Sequence, residues 1–402
     1  MDIKRIRQDF PALDNYIWFQ NGGVSITPAP IAAEHNRLMQ ELLRRGPMHI
    51  IYPDEELPRR RESLQRLAEF FAVCPDELAL MRGVSEAYQT VLRGKTWQPG
   101  DEILISEEEE AAILLPTLHL RDCAGIHVVK LPLIDDVEGQ IDAFQQRLTR
   151  RTRLVALSHV TTDLGFRLPV KQFCDLARQR GVATFIDLGH SAGLFPISLR
   201  ALGCDFAGIL SYKWMYAPYA AGLLFVRKDK LDDLTVTYAG GRSEKWLDVE
   251  NDRYQLHDSA ERFQYGPWSW PLVHAWAFAT DYLTTFGLDD IWRRTAHLAT
   301  RLKQGLQSIP GATLYTPESP DCSAALVSFG LNGWKGEALC SILRERWNMI
   351  VKPLPHVREG LRISIVFFLL EEEIDRLLET VRRLAAERDE TAGRQTSHRE
   401  TP

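Results

Sequence analysis

The middle of the chain alternates short, uniformly apolar runs with longer segments whose apolar residues recur every three or four positions. Six runs have the length and composition of buried strands: EILIS (102–106), IHVVKL (126–131), RLVALSHV (153–160), VATFID (182–187), DFAGIL (205–210) and GLLFVR (222–227). PVKQFCDLARQRG, between the third and fourth, is amphipathic and closes on a glycine, the pattern of a crossover helix. Fully apolar strands alternating with helices predict an α/β protein with a mainly parallel sheet covered on both faces.

The pattern changes near Gly287. A long amphipathic segment, LDDIWRRTAHLATRLKQGLQSI, predicts a helix, and ALVSFGL and LRISIVF predict strands around a helix at EALCSILRERW. EEEIDRLLETVRRLAAE predicts a closing helix. The chain therefore divides into an N-terminal segment (1–25), a large domain (26–286), a small C-terminal α+β domain (287–385) and a polar tail (386–402) expected to be disordered.

Composition narrows the function classes. The 402 residues are 45% apolar and 25% charged, with a net charge of -6, which gives no reason to expect nucleic acid or an anionic membrane as partner. Charges interrupt every apolar run before it reaches bilayer length. The N-terminus, MDIKRIRQDFPAL, lacks the apolar core and cleavage site of a signal peptide, so the expectation is a cytoplasmic protein. Six cysteines at irregular spacing, with no CxxC pair, read as small buried residues rather than as a zinc site.

Candidate chemistry sits at two strand ends. VATFID finishes in Asp187, and DFAGIL runs into Ser211, Tyr212 and Lys213. Ligands of open α/β sheets bind at the C-terminal ends of strands, so an Asp and a Lys there are candidates. A structural ion pair is the alternative. Together they suit a cofactor aldehyde, which needs a lysine amine for a Schiff base and a carboxylate at its pyridine nitrogen. MRGVSEAYQTVLRG offers a helix start at Gly83, Val84 and Ser85, where backbone N–H groups could receive a phosphate. An ordinary helix start reads the same way.

The block DLGHSAGLFPISLRALGCDFA…SYKWMYAPYAAGLLFVRKD, with DFPAL-x-YIWFQNGG before it and LRIS after it, resembles the class V aminotransferase group of fold-type I pyridoxal-phosphate enzymes. That group includes cysteine desulfurases, kynureninases and isopenicillin-N-epimerase-like proteins. The resemblance implies a large domain with a seven-stranded-type, mainly parallel sheet, a small α+β domain, a homodimer, and pyridoxal 5'-phosphate as cofactor. It makes Lys213 the Schiff-base lysine and, with His190, the catalytic pair. Asp187 becomes the partner of the ring nitrogen and His190 a contact of the ring hydroxyl. Val84, Ser85 and Tyr212 belong to the phosphate site, and Thr162 and Ala111 complete the cofactor set. Arg362 becomes the binder of the substrate α-carboxylate, which a guanidinium can grip with two parallel hydrogen bonds, with Asn21 and Gly22 lining the substrate mouth. A structural ion pair for Arg362, core packing for Tyr212 and a plain turn at Asn21–Gly22 are the alternatives.

The departures bear on the reaction. Where many relatives have a histidine over the ring, this chain reads SEEEEAAILLP, with Ala111 at the stacking position and Glu110 beside it. Glu110 either takes an acid–base role, or Glu107–Glu110 form a solvated helix N-terminus. No cysteine lies between Cys340 and Arg362, against the persulfide route of the desulfurases. Pro267 stands where relatives have a threonine that reaches the phosphate of the partner subunit's cofactor; proline cannot donate, so Ser269 or nothing fills that role. Trp268 and Trp270 line a pocket or simply pack. The pattern points first to β-elimination on a cysteine-type amino acid, as in a C–S lyase, with transamination second and epimerisation third.

Overall fold

The computed structural model describes residues 1–354 and 358–397. The chain forms two compact units, one of residues 27–161 and 168–289, the other of 1–26, 162–167 and 290 onward. The N-terminal segment thus belongs with the C-terminal region. So does the short excursion 162–167, which the sequence pattern assigns to the large domain.

The larger unit is built on a seven-stranded sheet: β1 (Leu78–Met81), β2 (Glu102–Ser106), β3 (His127–Leu131), β4 (Thr152–Ser158), β5 (Ala183–Asp187), β6 (Phe206–Leu210) and β7 (Gly222–Val226), in the order β1-β7-β6-β5-β4-β2-β3. All strands run parallel except β7, which is antiparallel to both neighbours. Six of the seven are the apolar runs named above. β1 is the addition, a four-residue strand buried along its length that pairs only with β7.

Three helices matter for the site: α1 (Val84–Gly94), α2 (Ala111–Ala124) and α3 (Val170–Gln179). α1 turns Val84, Tyr88 and Val91 onto the sheet among Ile103, Ile105, Phe185 and Leu224, and the Tyr88 ring centre lies 4.9 Å from that of Phe185. Each such buried side chain contributes roughly 1.5–3 kcal/mol, which fixes the start of α1 against the strand ends.

The second unit holds a four-stranded antiparallel sheet of β8 (Ala312–Leu314), β9 (Leu326–Leu331), β10 (Lys352–Pro353) and β11 (Leu361–Ser364), ordered β8-β9-β11-β10. LRISIVF is therefore strand only over its first four residues. The N-terminal segment joins this unit by pairing Ile17–Trp18 in parallel with Met349–Ile350, and the Phe10 ring stacks on Phe368 at 4.0 Å. The closing helix α4 (Glu371–Ser397) continues past Ala385 into the segment expected to be disordered. Its residues there, ERDETAGRQTS, include no proline and many good helix formers, so nothing in them stops the helix. Residues 398–402 of that tail lie outside the described residues, as do 355–357 in the stretch before Arg362. Among the described residues no helix is long and apolar enough to cross a membrane.

Candidate active site

In the larger unit, the ends of β1, β5 and β6 and the start of α2 border a cavity of about 780 Å³ whose lining includes Gly83, Ser85, Glu110, Asp187, Tyr212 and Lys213. β5 delivers Asp187 because β4 and β6 bracket it in register, Ser158 opposite Asp187 on one side and Gly208 opposite it on the other. The turn after β6 carries Lys213, and the turn after β5 carries His190. The two turns approach closely at Gly193, where φ is +87° and an added Cβ would lie 2.3 Å from the Trp214 carbonyl oxygen. A glycine is required there by both conformation and space. The result places Lys213 Nζ 3.1 Å from His190 Nε2. Both residues are buried.

Asp187 is buried as well, and Gly189 N–H donates to its Oδ1 at 2.7 Å. Burial pushes its carboxyl up to about 7, against the opposing pull of the Lys213 cation and the Gly189 N–H. A further cation beside it would favour its ionised form. Burial also raises the Tyr212 phenol, whose ring stacks on Tyr219 with centres 5.1 Å apart.

The opposite side of the cavity is the start of α1. Gly83 precedes the helix at φ +157°, and a Cβ there would meet nothing within 4 Å, so the turn is open. On its other side the backbone is tight, since a Cβ at Gly222 would lie 2.6 Å from Gly83 Cα. No side chain of the preceding residue caps the helix. Two residues outside the predicted set hold Glu86 in its first turn. Arg82 pairs with it at 2.8 Å and the Tyr265 hydroxyl donates to it at 3.0 Å. Nothing local in the sequence marks Tyr265, because its partners lie far away in the chain.

The acidic run 107–110 divides by residue. Glu107 is exposed, but Glu108 and Glu109 are buried, which corrects the picture of a uniformly solvated helix start. Glu109 accepts from the hydroxyls of Ser158 and Ser106, from Ser158 N–H at 3.3 Å and from Glu110 N–H at 3.1 Å. It therefore ties the ends of β2 and β4 together, and burial raises its carboxyl. Replacing it with alanine leaves these donors buried without their acceptor. Glu109→Ala is expected to lower stability by about 2–4 kcal/mol in urea unfolding; a change within about 0.5 kcal/mol, typical of a surface site, would contradict that role. Glu110 Oε2 lies 3.8 Å from His190 Nε2, while Ala111 is exposed at the head of α2 and presents only a methyl group to the cavity.

Trp268 and Trp270 do not line this cavity. They border a separate one of about 230 Å³ with Leu38, Met48 and His274, and Arg60 lies 4.6 Å over the Trp270 ring. Ser269 precedes the helix Trp270–Phe286 and makes no side-chain cap. Cys340 sits on the helix Gly336–Trp347, and burial raises its thiol to about 12, which keeps it unreactive near neutral pH.

The second unit gathers the remaining predicted residues around Arg362 of β11, which is fully buried. Its Nη1 donates to Thr162 O at 2.7 Å and Thr162 Oγ1 at 3.3 Å, and its Nη2 donates to Gln20 Oε1 at 3.4 Å. These are neutral oxygens. Gly22 N–H donates to Ser364 Oγ at 2.9 Å, and a Cβ at Gly22 would lie 3.1 Å from Arg362 Nη2. Asn21 is buried next to it. Thr162, grouped with the cofactor set in the sequence reading, is thus a partner of the arginine.

A family model described as aminotransferase class-V matches residues 59–377. The chain belongs to that family. The cysteine desulfurase of Pectobacterium atrosepticum is 27% identical over 406 residues, spanning 95% of this chain and 98% of that protein. The isopenicillin N epimerase of Streptomyces clavuligerus is 28% identical over 344 residues, spanning 81% of this chain and 84% of that protein. In fold, the chain is similar to the apo cysteine desulfurase from Thermococcus onnurineus, with a TM-score of 0.87 at 22% identity over 96% of this chain and 98% of that one. It is likewise similar to a cystine C–S lyase solved with cysteine persulfide, with a TM-score of 0.85 at 24% identity over 93% and 99% of the two chains.

Members of the family are pyridoxal-phosphate enzymes, and the donors present fit that cofactor. A buried carboxyl, a buried lysine whose cation acts on it and an open helix N-terminus share one cavity.

Proposed function

We propose that this protein is a pyridoxal-phosphate enzyme that eliminates the β-substituent of a cysteine-type α-amino acid. The observation that carries the reading is the buried Lys213, 3.1 Å from His190, in the cavity that also holds Asp187. Lys213 would hold the cofactor through Nζ, Asp187 its ring nitrogen and His190 its ring hydroxyl. The N–H groups at the start of α1, the Ser85 hydroxyl and the Tyr212 phenol would hold its phosphate. Bound there, the cofactor supplies an electron sink for charge that develops at the substrate α-carbon.

The chain's own residues do the rest. The Arg362 guanidinium grips the substrate carboxylate and orients it, with Asn21 and Gly22 beside it. Lys213 would remove the α-proton at Nζ. Elimination is supported by the absence of a cysteine between Cys340 and Arg362, which leaves no nucleophile for persulfide formation, and by the fold shared with a cystine C–S lyase. Transamination is the second reading. The likeness to an isopenicillin N epimerase favours epimerisation as a third. A homodimer in the cytoplasm completes the proposal, and the six free thiols suit a reducing compartment.

Incubation of the loaded protein with cystine, S-alkyl cysteines and ordinary amino acids separates the outcomes by product mass. Pyruvate and ammonia from the sulfur substrates are expected. Keto acid with the cofactor converted to its amine form would instead mean transamination, and α-hydrogen exchange without net product would mean epimerisation.

A further inference from the structure

β-Elimination moves a proton at two places. One leaves the substrate α-carbon, and the group that departs from the β-carbon carries off an electron pair and needs one. Three side chains connect these places. Lys213 Nζ is 3.1 Å from His190 Nε2, and the same nitrogen is 3.8 Å from Glu110 Oε2. Glu110 occupies the cap position of α2, yet its side chain makes no capping hydrogen bond to that helix. It lines the cavity it shares with Lys213 and keeps 28% of its side chain exposed, so a ligand can reach it. Its backbone is held in place, because Glu109 accepts the Glu110 N–H and is itself clamped to Ser106 and Ser158. The same cluster includes Asp187, which feels the charges of Lys213, Glu110 and Glu109, and Tyr212, which feels those of Glu110 and Asp187.

We propose that Glu110 is the general acid of the elimination, protonating the group that leaves the β-carbon and regaining its proton through His190. The inference rests on the elimination reading given above. The α C–H bond breaks and its proton goes to Lys213 Nζ. The electron pair left at the α-carbon forms the double bond to the β-carbon, and the β-carbon–sulfur bond breaks with its pair on sulfur. Glu110 gives that sulfur a proton, releasing a thiol. The proton on Lys213 then passes to His190 and on to the Glu110 carboxylate, which restores the starting state with no net exchange with solvent. The role also sets specificity: a thiolate of high basicity needs the acid, whereas a halide does not.

The test compares wild type with Glu110→Gln on an S-alkyl cysteine and on β-chloroalanine, both proteins loaded with pyridoxal phosphate. The expected result is a kcat loss of roughly 10²–10⁴-fold on the thioether, with KM little changed and a far smaller loss on β-chloroalanine. An equal loss on both substrates, or a loss on neither, overturns the proposal while leaving elimination intact. A wild type that eliminates neither substrate overturns the elimination reading itself, and this inference with it. A second readout needs no cofactor. In the cofactor-free protein, the NMR titration of the His190 ring is expected to move to lower pH in Glu110→Gln, because a carboxylate that favours the imidazolium is gone. An unchanged midpoint removes Glu110 from the relay.

Discussion

Asp187→Asn is expected to cost the enzyme most of its turnover and, in the cofactor-free protein, to raise its stability above about pH 7. Both effects come from one burial. The Asp187 carboxyl lies at the end of β5, shielded from water and pushed up to about 7. An unfolded chain ionises the same group near pH 4. An acid whose folded pKa lies above its unfolded one weakens the fold as pH climbs between the two, and the full penalty stands above the higher value. Cofactor-free wild type should therefore lose stability between roughly pH 4 and pH 7 through this residue, by an amount on the order of a few kcal/mol. The asparagine variant should not. A bound pyridinium supplies the missing cation, so cofactor should restore wild-type stability and have less effect on the variant. The same substitution removes the charge that keeps the ring nitrogen protonated, and kcat/KM should fall roughly 10²–10³-fold or more. Urea midpoints across pH, with and without cofactor, check the first effect. A variant no more stable than wild type at pH 8 would refute it.

Arg362→Lys keeps the charge and loses the fork. Arg362 is fully buried, and its two terminal nitrogens face Thr162 and Gln20. A lysine ammonium cannot make two parallel bonds to a carboxylate in the same plane. Two charge-assisted bonds are each worth about 1.5–3 kcal/mol, so the expected loss in kcat/KM is roughly 10²–10⁴-fold, carried mainly by KM. A purely structural arginine predicts a different pattern, with stability falling and KM for properly folded protein unchanged. Substrates lacking the α-carboxylate supply the control, since for them wild type and variant should be equally poor. Equal losses with and without the carboxylate would argue for the structural role.

Much of the fold is legible in the residue pattern because parallel strands buried on both faces read as uniform apolar runs. EILIS and DFAGIL need no context to be recognised. Leu78–Met81 escapes that pattern because four apolar residues next to a helix start look like part of it; only pairing with β7 makes them a strand. Lys213 and Asp187 stand out as candidates because strand ends and chemistry coincide, whereas His190 is a candidate only through the family resemblance. Arg362 is readable because a buried cation among strand residues needs a reason. Glu109 is not, since its direction depends on serines at the ends of two strands, one of them distant in the chain. The excursion 162–167 is equally silent, as nothing local tells Thr162 that its oxygens will meet Arg362. The tryptophans fail for the opposite reason: Trp268 and Trp270 suggest a pocket, and the structure gives them one away from the cavity that holds Lys213.

The central claim is a covalent one, and it can be measured directly. Protein incubated with pyridoxal phosphate is reduced with borohydride, digested and mapped by mass. The account predicts a visible absorbance before reduction and a stable phosphopyridoxyl adduct on Lys213 alone, with both lost in Lys213→Ala. An adduct spread over exposed lysines, or none in a protein that folds, would contradict it.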